Sequence, residues 1–139
     1  MPKPSVCEIR THFDRHGFGL WAVQPLDGPE FIGFAGLSIP HYEAPFMPAV
    51  EIGWRLAFEF WGNGYASEAA KAVLSHAWDV LQLDEIKSIT IPTNLRSRAV
   101  MERIGMTRDL NGDFEHPLLP PEHPLRLHVR YRKQRESKL

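Results

Sequence analysis

Two short stretches of the sequence contain residue types that suit the binding of a ligand with phosphate groups. The first, residues 61–69, reads Trp-Gly-Asn-Gly-Tyr-Ala-Ser-Glu-Ala and comes directly before a predicted helix. Glycine lets the backbone approach a ligand closely, and a helix N-terminus attracts anions through its free N–H groups and its dipole. The stretch therefore indicates a phosphate site, although a tight strand-to-helix turn is an alternative explanation of its glycines.

The second stretch, residues 94–106, begins with Asn-Leu-Arg-Ser and ends with Ile-Gly-Met. Asn94 can cap a chain segment or contact a ligand, and Ser97 can donate a hydrogen bond or simply occupy the first turn of a helix. Arg96 and Arg98 suit phosphate groups, but arginine is also common on exposed helix faces. The types of residue thus allow a ligand contact at this second helix.

The elements that must position these stretches alternate between helices and strands. Apolar residues three or four positions apart predict helices at 5–16 and 66–81, and a shorter helix at 96–104 that Gly105 ends. Runs rich in β-branched and aromatic residues predict strands at 18–24, 31–39, 49–56, 85–91, 106–114 and 125–131. This order indicates a single α/β (α+β) domain over residues 1–139.

The order and spacing of the motifs resemble the GCN5-related N-acetyltransferase (GNAT) superfamily, and within it the bacterial RimJ/RimL-like branch. Residues 61–69 match the Trp-Gly-x-Gly-Tyr-Ala-x-Glu-Ala turn of that branch, and residues 94–106 match its Asn-x-x-Ser-x-x-x-(Leu/Met)-Glu-x-x-Gly-(Phe/Met) run. The resemblance covers residues 17–132. It implies a mixed, mostly antiparallel sheet flanked by helices, in which acetyl-CoA enters between two splayed parallel strands, here 49–56 and 85–91.

The resemblance also implies which residues hold acetyl-CoA, the co-substrate. Backbone groups of Ile52, Gly53 and Trp54 are expected to bind the pantetheine arm as an added strand would. Asn94 and Ser97 are expected to contact the cofactor from the second helix. The diphosphate is expected on the amides of the glycine turn, which comprises Trp61, Gly62, Asn63, Gly64, Tyr65 and Ala66.

Acetyl transfer in this superfamily proceeds by direct attack of an amine on the thioester in a ternary complex. Glu51 is the candidate base because it lies on the strand that splays open; an exposed strand glutamate or a salt bridge is the alternative. Many superfamily members have a tyrosine acid at the position of Met101, and a thioether cannot donate a proton. Ser97 is therefore the candidate donor to the leaving sulfur, with Tyr65 and Tyr131 as weaker substitutes.

The acceptor amine stays open between a protein N-terminal α-amine and a small-molecule amine. An α-amine, with a pKa of ~7.7–8.0, is partly neutral at pH 7, which favours it slightly over lysine. The loops at 40–48 and 113–124 are expected to shape the acceptor pocket. Four histidines are expected to line that pocket rather than bind a metal, because their spacing fits no standard ligand set: His41, His116, His123 and His128.

Charge and hydropathy argue against other classes of partner. A net charge of −1 and a pI near 6.7 give no reason to expect nucleic acid or membrane binding, apart from a basic tail from about residue 133. No apolar run approaches the roughly 20 residues of a membrane span and no leader opens the sequence, so a cytoplasmic location is expected. Cys7 is the single cysteine and cannot form an intramolecular disulfide.

Superfamily members usually begin with a strand and helix ahead of the segment that matches residues 5–16, and this chain has no room for them. Their absence predicts an exposed sheet edge that invites pairing with a second copy as a homodimer. It also leaves an alternative function open, a truncated or non-catalytic acyl-CoA-binding module.

Overall fold

The computed structural model describes residues 5–28, 31–40 and 42–136. Within these ranges the helices and strands are α1 Val6–His16, β1 Leu20–Val23, β2 Gly33–Ser38, β3 Glu51–Leu56, α2 Tyr65–Asp79, β4 Glu85–Thr90, α3 Leu95–Arg103, β5 Thr107–Arg108, β6 Phe114–Glu115 and β7 Leu127–Gln134. A short 3-10 helix, Phe58–Phe60, joins β3 to the glycine turn. None of these helices is long and apolar enough to cross a membrane.

The seven described strands form one sheet in the order β1-β2-β3-β4-β7-β5, with β6 also paired to β7. Every neighbouring pair is antiparallel except β3 and β4, which run parallel at the centre of the sheet. The structure confirms the predicted mixed, mostly antiparallel sheet flanked by helices. It also confirms that the parallel pair consists of the two strands that the resemblance assigned to the cleft.

The core lies between α2, α3 and one face of the sheet. Side chains of a strand alternate between the two faces, so Leu37, Ile52 and Ile86 point into this core while Glu51 points to the other face. Helix α2 contributes buried residues at helical spacing, namely Ala70, Val73, Leu74 and Ala77. Each large aliphatic side chain buried here stabilises the fold by roughly 1.5–3 kcal/mol, which anchors β3 and β4 beside the helices.

The prediction of one uninterrupted strand at 106–114 is wrong. The chain forms β5, leaves the sheet in a turn and returns as β6. In the turn the Asn111 amide donates to Asp109 Oδ1 at 3.1 Å and the Gly112 amide donates to the Asp109 carbonyl at 2.9 Å. Aspartate followed by asparagine and glycine is turn chemistry, which outweighed the apolar residues on either side.

The last strand is longer than predicted. Strand β7 continues to Gln134, so Lys133 belongs to the sheet and not to a free basic tail. The Arg135 amide still donates to the Asp84 carbonyl at 2.8 Å. The predicted start of the tail at about residue 133 is therefore too early, and positions 137–139 lie outside the described residues.

Gly36 lies where β2 approaches β1 too closely for a side chain. A Cβ there would come within 2.2 Å of the Gly19 carbonyl oxygen and 2.7 Å of the Leu20 Cα. Its partner on β3, Gly53, has no atom within 4 Å of an added Cβ. We expect Gly36→Ala to lower the free energy of unfolding by about 2 kcal/mol or more, and Gly53→Ala to change it by less than about 1 kcal/mol.

Urea denaturation of the two variants beside the unmodified chain measures this difference. Equal losses would contradict a backbone contact at Gly36, because the two glycines face each other across the same strand pair.

Candidate active site

Strands β3 and β4 separate almost as soon as they meet. Their register contains one pair, Glu51 opposite Lys87, where the Lys87 amide donates to the Val50 carbonyl at 2.9 Å. One step further, the hydroxyl of Ser88 donates to the Ile52 carbonyl at 2.9 Å. The strands therefore enclose a wedge that is closed at Glu51 and open toward the glycine turn that follows β3.

Two adjoining cavities extend from this wedge to the glycine turn. The inner cavity, of about 250 Å³, reaches Glu51, and the outer cavity, of about 590 Å³, is bordered by the glycine turn. Both are lined by Trp54, Asn94 and Ser97, so the two cavities adjoin each other. We refer to them together below as the cleft, with Glu51 at its closed end.

The glycine turn adopts the backbone conformation that its sequence predicts. Gly62 and Gly64 have φ angles of 83° and 79°, a region that glycine enters without strain. Gly64 is the N-cap of α2, and no side chain caps the helix there. The first N–H groups of a helix have no partner within it, and the residues that carry them here, Tyr65, Ala66 and Ser67, line the outer cavity.

Two side chains of the turn hold its shape. The indole N–H of Trp61 donates to the Leu56 carbonyl at 3.0 Å. The Asn63 amide group donates to the carbonyls of Phe60 and Trp61 at 3.3 and 3.4 Å. These contacts fold the turn back on the end of β3, so any ligand contact by Trp61 or Asn63 falls mainly to the backbone.

Arginines supply positive charge around the outer cavity, which Arg55, Arg96 and Arg103 line. The guanidinium of Arg96 lies 4.6 Å from the ring centre of Trp61, a cation–π distance. This stacking places a positive charge at the mouth of the cleft beside the glycine turn. The charge, the free amides and the helix dipole together suit a diphosphate.

Arg98 and Tyr131 contact each other and do not line the cleft. Arg98 donates from Nη1 to the Pro92 carbonyl at 2.8 Å and from Nε to the Tyr131 hydroxyl at 3.2 Å. The Tyr131 hydroxyl also contacts the Glu102 carboxylate at 3.4 Å, and Tyr131 is buried. The sequence-based hypotheses of Arg98 as a phosphate contact and Tyr131 as a proton donor are therefore wrong, because these groups are engaged with each other.

Helix α3 brings Asn94 and Ser97 to the middle of the cleft. Asn94 caps the helix, and its Oδ1 accepts a hydrogen bond from the Ser97 amide at 3.2 Å. The capping alternative for Asn94 is thus realised, while its side-chain NH₂ is still available to a ligand. One turn beyond Ser97, the buried Met101 borders the inner cavity.

Glu51 lies half-buried at the closed end of the cleft. Burial raises its pKa from 4.5 to about 7. Within the described ranges no cation pairs with it, since its register partner Lys87 forms an ion pair with Glu85 at 3.0 Å. Neither alternative for Glu51, an exposed position or a salt bridge, is observed, and a carboxylate with a pKa close to neutral pH suits a general base.

The two loops expected to shape the acceptor pocket meet each other. The rings of Tyr42 and His116 lie 4.3 Å apart, and those of His116 and His128 lie 4.9 Å apart. Burial lowers the pKa of both histidines, and burial together with the charge of Glu51 raises the pKa of Tyr42. Each of these shifts favours the neutral form, and the cluster adjoins Glu51.

His123 and His41 are the other two histidines that were expected to line the acceptor pocket. The Nδ1 atom of His123 accepts a hydrogen bond from the Leu125 amide at 3.0 Å, and His41 lies outside the described residues. Across residues 5–28, 31–40 and 42–136, no three histidine, cysteine, aspartate or glutamate side chains are grouped so that they could hold a metal ion.

Sequence reasoning missed Ser88 and Tyr42. Ser88 could have been found, because it occupies a core-facing position in the alternation of β4, where a polar side chain is unusual. Tyr42 offered no such signal, since its position depends on the path of an irregular loop.

Comparison with known proteins agrees with this geometry. Residues 5–107 match the acetyltransferase (GNAT) domain family. FsC-acetyl coenzyme A-N(2)-transacetylase of Aspergillus fumigatus is 36% identical over 125 residues, which are 87% of this chain and 52% of that protein. YkkB of Bacillus subtilis is 35% identical over 91 residues, 66% of this chain and 52% of that protein.

Solved structures show the same fold. An acetyltransferase from Agrobacterium tumefaciens superposes with a TM-score of 0.70 at 32% identity, over 93% of this chain and 68% of the other. The ribosomal-protein-S5-alanine acetyltransferase of Vibrio fischeri gives a TM-score of 0.74 at 18% identity, over 96% of this chain and 77% of the other. The chain spans about half the length of the curated relatives it matches. On the match of its family domain and its relatives, the chain belongs to the GNAT acetyltransferase family.

Proposed function

We propose that the protein transfers the acetyl group of acetyl-CoA to a primary amine by direct attack in a ternary complex. The observation that carries this proposal is the cleft that begins between β3 and β4, with the glycine turn at its open end and Glu51 at its closed end. A long ligand with a diphosphate at one end and a reactive group at the other fits this arrangement. Acetyl-CoA has that layout.

The residues along the cleft suit each part of the cofactor. The free amides of Tyr65 and Ala66, next to the arginines of the outer cavity, suit the diphosphate. The backbone of Gly53 and Trp54, beyond the last β3–β4 pair, suits the amides of the pantetheine arm. The inner cavity then receives the thioester, beside Glu51.

The proposed chemistry uses Glu51 and Ser97. Glu51 accepts a proton from the acceptor ammonium, directly or through one water, and the neutral nitrogen attacks the thioester carbonyl. A C–N bond forms, the C–S bond breaks and the electron pair of that bond stays on the sulfur. The nitrogen then releases a second proton, and the leaving sulfur takes up that proton while Ser97 donates a hydrogen bond to it. The products are the acetylated amine, coenzyme A and the proton held by Glu51.

The acceptor is a protein N-terminal α-amine or a small-molecule amine. The Aspergillus relative is named as an FsC-acetyl coenzyme A-N(2)-transacetylase, and the Vibrio fischeri neighbour as a ribosomal-protein-S5-alanine acetyltransferase. These names support an amine acceptor and the RimJ/RimL-like assignment. The cytoplasmic location stays a prediction from the sequence.

The second candidate function is an acyl-CoA-binding module without catalysis. Met101, which cannot donate a proton, is the observation that favours it, because it lies in the inner cavity where many superfamily members have a tyrosine acid. In this alternative the cleft binds the cofactor but supports no transfer.

Calorimetric titration with acetyl-CoA, followed by thiol release against N-terminal peptides and small amines, tests both functions. Binding with thiol release supports the transferase and identifies the acceptor class. Binding without release, across acceptors, favours the non-catalytic module. Absence of binding would contradict both functions.

A homodimer is the proposed assembly, because β1 ends the described sheet. The carbonyls of Gly19 and Val23 accept bonds from the β2 side, so the alternate residues Leu20 and Ala22 direct their N–H and C=O groups outward. Such an edge can pair with a second copy. Beside it lies an apolar groove of about 630 Å³ between β1 and α2.

We expect Ala22→Pro, which removes one outward N–H, to shift the chain from dimer to monomer in sedimentation equilibrium. Ser75→Ala, on an exposed part of α2 outside this groove, is the control and should leave the assembly unchanged. Identical sedimentation of the Ala22→Pro variant and the unmodified chain would contradict pairing through this edge.

A further inference from the structure

Ser88 is a polar side chain buried at the closed end of the cleft. It is 2% exposed, lies on the core-facing side of β4 and lines the inner cavity together with Glu51 and Met101. Its hydroxyl donates to the Ile52 carbonyl across the gap between the parallel strands. The side chain of Ser88 therefore bridges β3 and β4 at the point where the two strands begin to separate.

In a regular parallel ladder, backbone amides of one strand reach successive carbonyls of the other. Here the Lys87 amide reaches the Val50 carbonyl, and the register has no further pair. The next carbonyl, that of Ile52, would ordinarily receive the Ile89 amide. The hydroxyl of Ser88 takes that place, so the carbonyl is satisfied while the two backbones stand apart.

We infer that Ser88 is a positioning residue that holds the closed end of the cleft open and thereby sets the depth to which the thioester enters. This inference rests on the proposed function, in which the diphosphate lies at the open end and the thioester at the closed end. Because Glu51 forms the last strand pair before Ser88, the point of separation also sets the distance between thioester and base.

Removing the hydroxyl leaves a buried carbonyl without a donor, which is unfavourable. The strands can regain a bond by closing one step further, so that the Ile89 amide reaches the Ile52 carbonyl. That closure shortens the inner cavity, while the glycine turn and the outer cavity stay unchanged. The acetyl group then loses its place although the diphosphate end still binds.

The role of the hydroxyl can be separated from the effect of side-chain size by two comparisons at position 88. The first compares serine with alanine, and the second compares threonine with valine. We expect Ser88→Ala and Ser88→Val to lower kcat by about 10- to 100-fold, since small misplacements of reacting groups have effects of this order. The Kd for coenzyme A should stay within about threefold, because that affinity depends on the outer cavity. Ser88→Thr should keep a kcat at least about tenfold above Ser88→Val.

Thermal unfolding of each variant, with rates taken where all are folded, separates positioning from general stability. Equal kcat values within both pairs would overturn the inference. If Ser88→Thr and Ser88→Val both fail to fold, the comparison of serine with alanine decides alone. A lower kcat accompanied by an equal loss of coenzyme A affinity would also overturn it.

Amide hydrogen exchange provides a test that needs no acetyl transfer. In Ser88→Ala the Ile89 amide should become at least about tenfold better protected, as the strands close by one step. Unchanged protection would overturn the closure. If the unmodified chain bound coenzyme A without transfer, the proposed function would fail, and the exchange result would still report on the role of Ser88.

Discussion

Glu51→Gln is expected to lower kcat/KM by about 10²–10⁴-fold, because it removes the general base and keeps the side-chain shape. The affinity for acetyl-CoA should stay within about threefold, since Glu51 borders only the closed end of the cleft and contributes little to binding energy there. Thiol-release kinetics and calorimetry measure the two quantities. Glu136→Gln, at an exposed position beyond β7, is the matched control.

The pH profile should identify the same group. Because burial raises the pKa of Glu51 to about 7, kcat/KM of the unmodified enzyme should rise as the pH passes through about 7. The Gln variant should retain only the dependence that comes from ionisation of the acceptor amine. An unchanged profile, or a rate close to that of the unmodified enzyme, would exclude Glu51 as the base.

The same substitution should stabilise the fold in alkaline solution. The folded pKa of about 7 lies above the ordinary value of 4.5, so the folded state binds more protons between these values and stability falls as the pH rises from 4.5 to 7. Glutamine removes this loss, with a gain in unfolding free energy of up to about 3 kcal/mol at pH 8 and less than about 1 kcal/mol at pH 5. Urea denaturation at the two pH values measures the difference.

Ala66→Glu is expected to weaken acetyl-CoA binding by about 100-fold or more, a loss of about 2.7 kcal/mol. Ala66 lies in the first turn of α2 and lines the outer cavity, where a carboxylate would repel the diphosphate and occupy its amides. An acidic residue in the first turn of a helix is favourable for the fold, so the melting temperature should not fall through the charge itself.

Two controls separate charge from size and from position. Ala66→Gln adds nearly the same volume without the charge and should weaken binding by less than about tenfold. Ser75→Glu adds the charge on an exposed part of the same helix, and the affinity should stay within about twofold. Equal affinities of the Ala66→Glu and Ser75→Glu variants for acetyl-CoA would contradict binding of the diphosphate at the glycine turn.

The parts of the site that depend on local sequence were predictable. Gly62 and Gly64 mark a turn with left-handed backbone whatever surrounds it, and the apolar spacing of α2 reports its buried face directly. Glu51, Asn94 and Ser97 were placed through the family resemblance, and they do line one cavity.

The parts that depend on distant contacts were not predictable. Arg98 looks like Arg96 in the sequence, but only the fold brings the Tyr131 hydroxyl to it. The bond from Ser88 to Ile52 joins residues 36 positions apart, and the contact of Tyr42 with His116 joins two irregular loops. Periodicity and turn chemistry report on near neighbours and contain no information about such partners.

The single backbone pair between β3 and β4 divides the sheet mechanically into two half-sheets, β1-β2-β3 and β4-β7-β5, along one seam. Within the described residues, three contacts join the two half-sheets: the Glu51–Lys87 backbone pair, the hydrogen bond of the Ser88 hydroxyl, and the packing of α2 on α3. Most of the backbone hydrogen bonds that stiffen an ordinary sheet are absent between β3 and β4. A ligand that lies between β3 and β4 and forms hydrogen bonds with both backbones replaces the hydrogen bonds that the two strands do not form with each other. Filling the cleft should therefore stiffen the domain as a whole, and resistance to proteolysis should follow cofactor occupancy.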